Sequence, residues 1–325
     1  MSSTRRVPET KLMGDEDLSA DDAWLALRHY GGWHLVHDAF LRFRYGDGFS
    51  HSRALGLQLC LATVPFLIAL TGLSSDLGVE EGGKVVADVV LELTPGASDS
   101  VVSDLLGGDE TTEDAGEVAL TLGLITGMVA LSTAMAQIER GANRIYGVER
   151  DRPALAKYTR AVILGLVAGL PALIGFLFLV AGGPVGDSIE RHYHWGGTAH
   201  TIWNWVRWPA SLALTTVSIG LLFRHSPRRR QPGLSWLLFG AAVATAIWWL
   251  ISGLLALYVR TSDAFGATYG ALTGIMALLL WANLTGIALF LGLAFSAQLE
   301  GARVGAPDPV EDDVWHPLPD DDKAS

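Results

Sequence analysis

Six uncharged apolar runs, each bounded by charged segments, constrain this chain more than any other feature it has. They cover 54–73, 118–136, 161–181, 208–223, 234–259 and 267–297. A helix rises about 1.5 Å per residue, so roughly 20 apolar residues cross a hydrocarbon core about 30 Å thick. Five runs reach that length. The fourth needs residues 202–206 as well, which places Arg207 near an interface. The last run is long for one crossing and is expected to tilt or to project beyond the membrane. The fold class that follows is all-α, a polytopic membrane protein with six transmembrane helices.

The charges between the runs give a direction. Arg28, Arg42, Arg44 and Arg53 precede the first run, whereas 74–116 carries only Lys84 against eleven Asp and Glu. The next loop holds Arg140, Arg144, Arg150, Arg152, Lys157 and Arg160, and the one after it only Arg191 before Arg207. Arg224, Arg228, Arg229 and Arg230 follow, then Arg260 alone. Lys and Arg near span ends are retained on the cytoplasmic side, so the rich loops are expected inside and the poor ones outside. The expected location is the bacterial plasma (inner) membrane, multi-pass, with both termini cytoplasmic.

The net charge of −11 does not describe this inner rim. Acidic residues concentrate in 74–116, 15–22 and 308–322, while the expected cytoplasmic rim is basic. Cys60 is the single cysteine, so no intramolecular disulfide forms. The first apolar run begins about fifty residues in, behind a polar segment, so an uncleaved anchor is expected rather than a signal peptide.

Three regions follow. Residues 1–50 form a cytoplasmic N-terminal segment, 51–300 the six-helix domain, and 301–325 an acidic disordered tail. Within the first, 1–20 is polar and reads as disordered. Over 21–49, Trp24, Leu27, Tyr30, Trp33, Leu35, Val36, Phe40 and Phe43 recur at helical spacing around Gly31–Gly32. That amphipathic segment either lies in the inner interface, with Arg28, Arg42 and Arg44 facing headgroups, or packs against the bundle. In the first outer loop, apolar patches on either side of Pro95 predict two short interfacial helices over 77–106, followed by an exposed acidic loop over 109–116.

Pro65 and Pro171 fall inside spans and each frees a backbone carbonyl, by kinking a helix at a cavity or by curving it around the bundle. Small residues four apart, Gly123/Gly127, Gly165/Gly169, Gly270/Gly274 and Gly292/Ser296, allow close helix approach in lipid.

The densest polar stretch is 137–160. On a continuing helix Glu139 and Asn143 share one face and Arg140 and Arg144 another. Arginines at a membrane boundary either anchor topology or grip an anionic headgroup. Topology alone gives no reason for Asn143 and Tyr146. The Arg228–Arg230 triplet reads as a retention signal. His192, His194 and His200 share an outer loop, and His29, His34 and His37 the N-terminal segment, but neither set has metal-ligand spacing. No hydrolase, zinc-protease or phosphate-loop motif occurs. The spans hold no Asp or Glu, so groups for ion coupling come only from span ends: Glu139, Arg207, Asp263 or Glu300. Neutral polar candidates are Gln58, Thr63, Thr133, Asn283 and Gln298. No catalytic residue, metal or cofactor is expected.

Two motif blocks carry a family resemblance. The last span ends in Tyr269-Gly270, an apolar run to Leu280-Trp281, then Gly292 and Leu299-Glu300. After the second span comes Asn143-Arg144-Ile145-Tyr146 with Arg152-Pro153, and Pro65 sits in the first span. This resembles the YihY/virulence factor BrkB family over about 42–303. Where the family often has paired tyrosines in its first span, this chain has Leu57 and Gln58. The resemblance implies a six-span inner-membrane protein with both termini inside. Members have been labelled ribonuclease BN, but that chemistry needs a metal cluster or an acid–base pair that this chain does not offer.

The function expected is that of a transporter or flippase-like protein for an anionic amphiphile, a lipid or envelope precursor, and not an enzyme. Glu139, Arg140, Asn143, Arg144, Tyr146 and Tyr269 are its substrate or headgroup candidates. Pro65, Arg152, Pro153, Pro171, Gly270, Trp281, Gly292 and Glu300 are its structural motif residues. The alternative is a membrane scaffold for envelope machinery. Expected partners are membrane lipids and a second copy or envelope proteins, not nucleic acid.

Overall fold

A computed structural model describes residues 5–10, 18–76, 113–148, 152–180, 197–261, 273–305 and 308–312. The described chain is helical: α1 (Ala20–Tyr30), α2 (Trp33–Tyr45), α3 (Gly48–Asp76), α4 (Glu113–Ile145), α5 (Ala154–Val180), α6 (Gly197–His225), α7 (Leu234–Thr261) and α8 (Thr273–Arg303). The one exception is a two-residue antiparallel bridge between β1 (Arg5–Arg6) and β2 (Glu311–Asp312). Among the described residues, five segments are long and apolar enough to cross a membrane: Thr121–Ile145, Leu155–Gly175, Thr201–His225, Leu234–Val259 and Gly274–Arg303. The first expected run lies in α3. The fourth does recruit 202–206, because α6 starts at Gly197.

The long helices form a closed ring in chain order. Each of α3 to α8 packs on the next, and α8 returns to α3. α8 also touches α4, α1 and α2, which makes it the hub of the fold. Long apolar helices suit this arrangement because their interior backbone N–H and C=O groups are satisfied within the segment, apart from the carbonyls that a proline frees. Pro65, Pro171 and a third proline, Pro209, sit inside α3, α5 and α6.

Close approach is achieved with small residues. On α7 and α8, Gly240 and Gly292 face each other: a Cβ added at Gly292 would lie 2.5 Å from the Gly240 carbonyl oxygen and from the Ala244 Cβ. Ser296 sits against the same glycine, so Gly292/Ser296 is a packing face. The other described pairs behave differently. Gly165 packs on Leu131, while among the described residues nothing lies within 4 Å of a Cβ at Gly169, and a Cβ at Gly127 would lie 3.8 Å from Pro65.

The N-terminal helices pack on the bundle. α1 begins where the Ser19 N–H and hydroxyl both donate to the Asp22 carboxylate, at 3.1 and 3.0 Å, and it docks on α7 and α8. α2 buries Leu35, Ala39, Arg42 and Phe43 against α8, α3 and α4, and leaves Trp33, Val36 and Phe40 exposed. Arg42 therefore does not face headgroups: it is 1% exposed, because its helix face turns into the bundle. Residues 113–116, expected in an exposed loop, belong to the first turn of α4. Arg5–Thr10 and Glu311–Asp312, within the two segments read as disordered, have defined places against each other and the bundle. The expected helices over 77–106, His192, His194, Asp263, Tyr269, Gly270 and most of the acidic tail lie outside the described residues.

Candidate functional site

One end of the ring gathers the basic segments, and there the last two turns of α4 present two different faces. Glu139 and Asn143 point inward and are buried, whereas Arg140 and Arg144, one residue further on, are exposed. A step of about 100° per residue produces this division.

The inward face is largely paired, with Glu139 Oε1 alone of its two carboxylate oxygens lacking a hydrogen-bond partner among the described residues. Glu139 Oε2 lies 2.8 Å from Arg152 Nη1, and Arg152 also donates to the carbonyls of Ser226 and Pro227, both at 3.0 Å. The Arg228 backbone N–H donates to Asn143 Oδ1 at 2.7 Å. The planar guanidinium thus ties the end of α4, the start of α5 and the 226–230 loop together, a fork a lysine would not reproduce. Pro153 immediately precedes α5 and its carbonyl accepts from the Lys157 N–H at 2.9 Å, while its missing N–H costs nothing there.

A second node lies deeper. Arg229 pairs with Glu300, with both side chains nearly inaccessible, and its guanidinium lies 4.6 Å from the centroid of the Tyr146 ring. Beside it, Arg42 Nε donates to Gln298 Oε1 at 2.9 Å, and Arg42 Nη1 donates to the Ile145 carbonyl at 3.2 Å. Burial pushes the Arg42 guanidinium down to about 10, and burial also pushes the Tyr146 hydroxyl well above its ordinary range. Two guanidiniums against one carboxylate leave this buried node with one excess positive charge. Glu300 Oε2 and Tyr146 Oη have no hydrogen-bond partner among the described residues.

The outward face continues into the bundle as a polar seam. Thr133, Gln137, Arg140 and Arg144 follow a 4-3-4 spacing and share one side of α4. Across from them on α3, Gln58 Oε1 accepts from Thr133 Oγ1 at 2.9 Å, and His51 Nδ1 lies 2.8 Å from Gln137 Nε2. All four seam residues on α3 and α4 are half-buried, and the seam runs out to the two exposed arginines. At the α7–α8 contact, Trp281 Nε1 donates to Ser252 Oγ at 3.2 Å and its ring packs edge-on against Trp248.

Of the residues expected at the site, the structure brings Glu139, Asn143, Tyr146, Arg152 and Glu300 into one connected end of the bundle. It sets Arg140 and Arg144 on another face. Pro65, Pro171, Trp281 and Gly292 lie along the helices away from that end. The members missed are Arg42, Arg229, Gln298 as a partner, and Thr10. A buried Glu300 requires a nearby cation, which was the available signal; which of the many arginines supplies it was not readable from spacing. Among the described residues no group of three His, Cys, Asp or Glu could hold a metal ion.

No solved structure matches the chain. The ribonuclease-like protein YfkH of Bacillus subtilis is 26% identical over 265 residues, covering 82% of this chain and 94% of YfkH. A UPF0761 membrane protein of Azoarcus sp. is 28% identical over 275 residues, 80% of this chain and 63% of the relative. One from Xanthomonas campestris pv. campestris is 25% identical over 273 residues, 81% of this chain and 60% of the relative. The chain thus spans less than two thirds of these UPF0761 relatives. Its apolar helices and these relatives together describe a membrane protein, consistent with a bacterial membrane. The family description virulence factor BrkB matches residues 39–313, and the chain belongs to that family.

Proposed function

We propose that the protein is a transporter or flippase-like carrier of an anionic amphiphile, a lipid or an envelope precursor, in the bacterial inner membrane. The seam between α3 and α4 carries this proposal. Polar side chains within spans face a bundle interior or a pathway. Gln58, Thr133, His51 and Gln137 are half-open rather than enclosed, and their line ends at the exposed Arg140 and Arg144. An anionic headgroup would be received by the two arginines and passed along neutral hydrogen-bonding groups while its acyl chains stay in lipid. The topology that fits is six spans, with α3 as the first and both termini cytoplasmic, since the basic end then lies inside. The protein is not an enzyme on this reading: Glu139 and Glu300 are each held by an arginine, which removes them as an acid–base pair.

The test is reconstitution into liposomes carrying a fluorescent phosphatidylglycerol analogue. Wild type should move the label between leaflets, and Arg140→Ala/Arg144→Ala or Gln58→Leu/Gln137→Leu should slow that at least tenfold. Equal translocation with and without the protein would sink the proposal. A membrane scaffold is the second reading, favoured by the exposed Trp24, Trp33 and Phe40 on α1 and α2. Deleting 1–20 and 305–325 together with Trp24→Ala, Trp33→Ala and Phe40→Ala should abolish a scaffold's function and largely spare a carrier's.

A further inference from the structure

Arg42 and Arg229 are bridged by oxygens of the protein's own N-terminal strap. The Thr10 carbonyl accepts from Arg229 Nη1 at 3.0 Å. Arg42 Nη1 reaches the Thr10 hydroxyl at 3.4 Å and the Pro8 carbonyl at 3.5 Å. Three oxygens from Pro8 and Thr10 thus lie against two buried guanidiniums, as the oxygens of a tetrahedral anion would.

The seat for the strap is shaped for it. The Thr10 N–H donates to the Tyr146 carbonyl at 3.2 Å, and Thr10 is 5% exposed. Gly147, with φ of 73°, underlies the strap: a Cβ there would lie 2.6 Å from the Glu9 nitrogen and the Pro8 carbonyl. The hold is nonetheless light. Two of the three arginine bonds are long, and the outer end is fixed by the Arg5–Arg6 bridge to Glu311–Asp312, where Arg6 and Glu311 make an exposed ion pair at 3.8 Å. Exposed pairs of this kind contribute little.

The three strap oxygens that meet the arginines are neutral, and the Glu9 side chain between them is exposed. With the strap seated, Arg42 and Arg229 face one carboxylate, Glu300, and a buried unit of positive charge stays uncompensated. Buried charges are normally paired, and a guanidinium matches the geometry of a phosphate-type oxyanion. The contacts therefore look like those of a stand-in.

We infer that Arg42 and Arg229 form a buried oxyanion site for a phosphate group, free or carried by a lipid, which residues 8–10 occupy as a tethered competitor. An incoming phosphate displaces the strap, neutralises the excess charge and releases the contact between 5–6 and 311–312. This goes beyond the transport proposal and needs no transport to be measured.

The test uses the whole protein in neutral nanodiscs, titrated with inorganic phosphate and followed by calorimetry and thermal unfolding. A parallel arm uses nanodiscs containing phosphatidylglycerol without added phosphate. Removing residues 2–10 should tighten phosphate binding, or phosphatidylglycerol stabilisation, at least tenfold. Arg229→Gln on the strapless chain should cancel that gain. Response to phosphate alone identifies a free anion, and response only in the lipid arm identifies a headgroup. A full-length Thr10→Asp variant leaves the cluster intact and supplies a tethered carboxylate. It should raise the unfolding temperature and abolish the phosphate response. Identical binding with and without the strap, or a Thr10→Asp chain that behaves as wild type, overturns the inference.

Discussion

Glu300, in the last turn of α8, is ion-paired with Arg229, which comes 71 positions earlier in the loop between α6 and α7. The pair closes the basic end of the ring by tying its most enclosed helix to a loop that Arg152 already fixes to α4. Removing one member of a buried pair strands the other charge, at a cost of about 3–5 kcal/mol. Glu300→Ala should destabilise the protein by that amount in chemical unfolding from detergent. Glu300→Leu combined with Arg229→Met should cost clearly less, since the node then keeps its single excess charge, on Arg42, instead of gaining a second.

Gly292 and Gly169 separate packing from helix propensity. Gly292→Val would force α7 and α8 apart at Gly240 and should cost about 1–3 kcal/mol. Gly169→Ala meets open space and should be neutral or stabilise by up to about 1 kcal/mol. Unfolding midpoints of the two variants check the contrast, and equal effects would contradict the contact at Gly240.

Asp22 makes the docking of α1 sensitive to acid. Its carboxyl is held below the ordinary value of 3.8 by the Ser19 N–H and hydroxyl and then by Arg303, 3.0 Å away. A folded value below the unfolded one means that the contribution is present above pH 3.8 and is lost as pH falls through the lowered value. Hydrogen exchange in α1 should be slower in wild type than in Asp22→Asn at pH 5, and the two should converge near pH 2. A difference that persists at low pH would contradict this.

Arg140 and Arg144 should act additively at an anionic surface. Each contributes about 1 kcal/mol near a negatively charged leaflet, so Arg140→Gln/Arg144→Gln should weaken phosphatidylglycerol association by about 2 kcal/mol. The loss should shrink in high salt. Lipid titration of nanodisc-embedded protein at two salt concentrations reads both effects.

Arg152→Lys should behave as a disruptive change despite keeping its charge. A lysine can meet Glu139 but cannot also span the carbonyls of Ser226 and Pro227. Proteolysis in the 226–233 loop should accelerate, with little change in the helical circular dichroism.

The apolar runs, the polar division of α4 and the recruitment of 202–206 by α6 were legible in the sequence, because each depends on helix period and hydropathy within a short window. Glu139 with Asn143, and Arg140 with Arg144, needed only the four-residue repeat. Arg42 and Arg229 were not legible. Retention of positive charge explained both, and their partners Gln298 and Glu300 lie 256 and 71 positions away. Thr10 stood in a polar stretch with no periodicity to mark it.

The sequence by itself determined where helices form, which segments are apolar enough for lipid and where positive charge collects, since these follow from local composition and the 3.6-residue period. Only the tertiary structure decided that the helices close into a ring in chain order. It alone decided which arginines turn inward to meet Glu139 and Glu300, and that residues 8–10 lie on two of them. Those choices depend on long-range packing: once a helix face is buried, each charge on it must find a partner, and the ring selects which one is near.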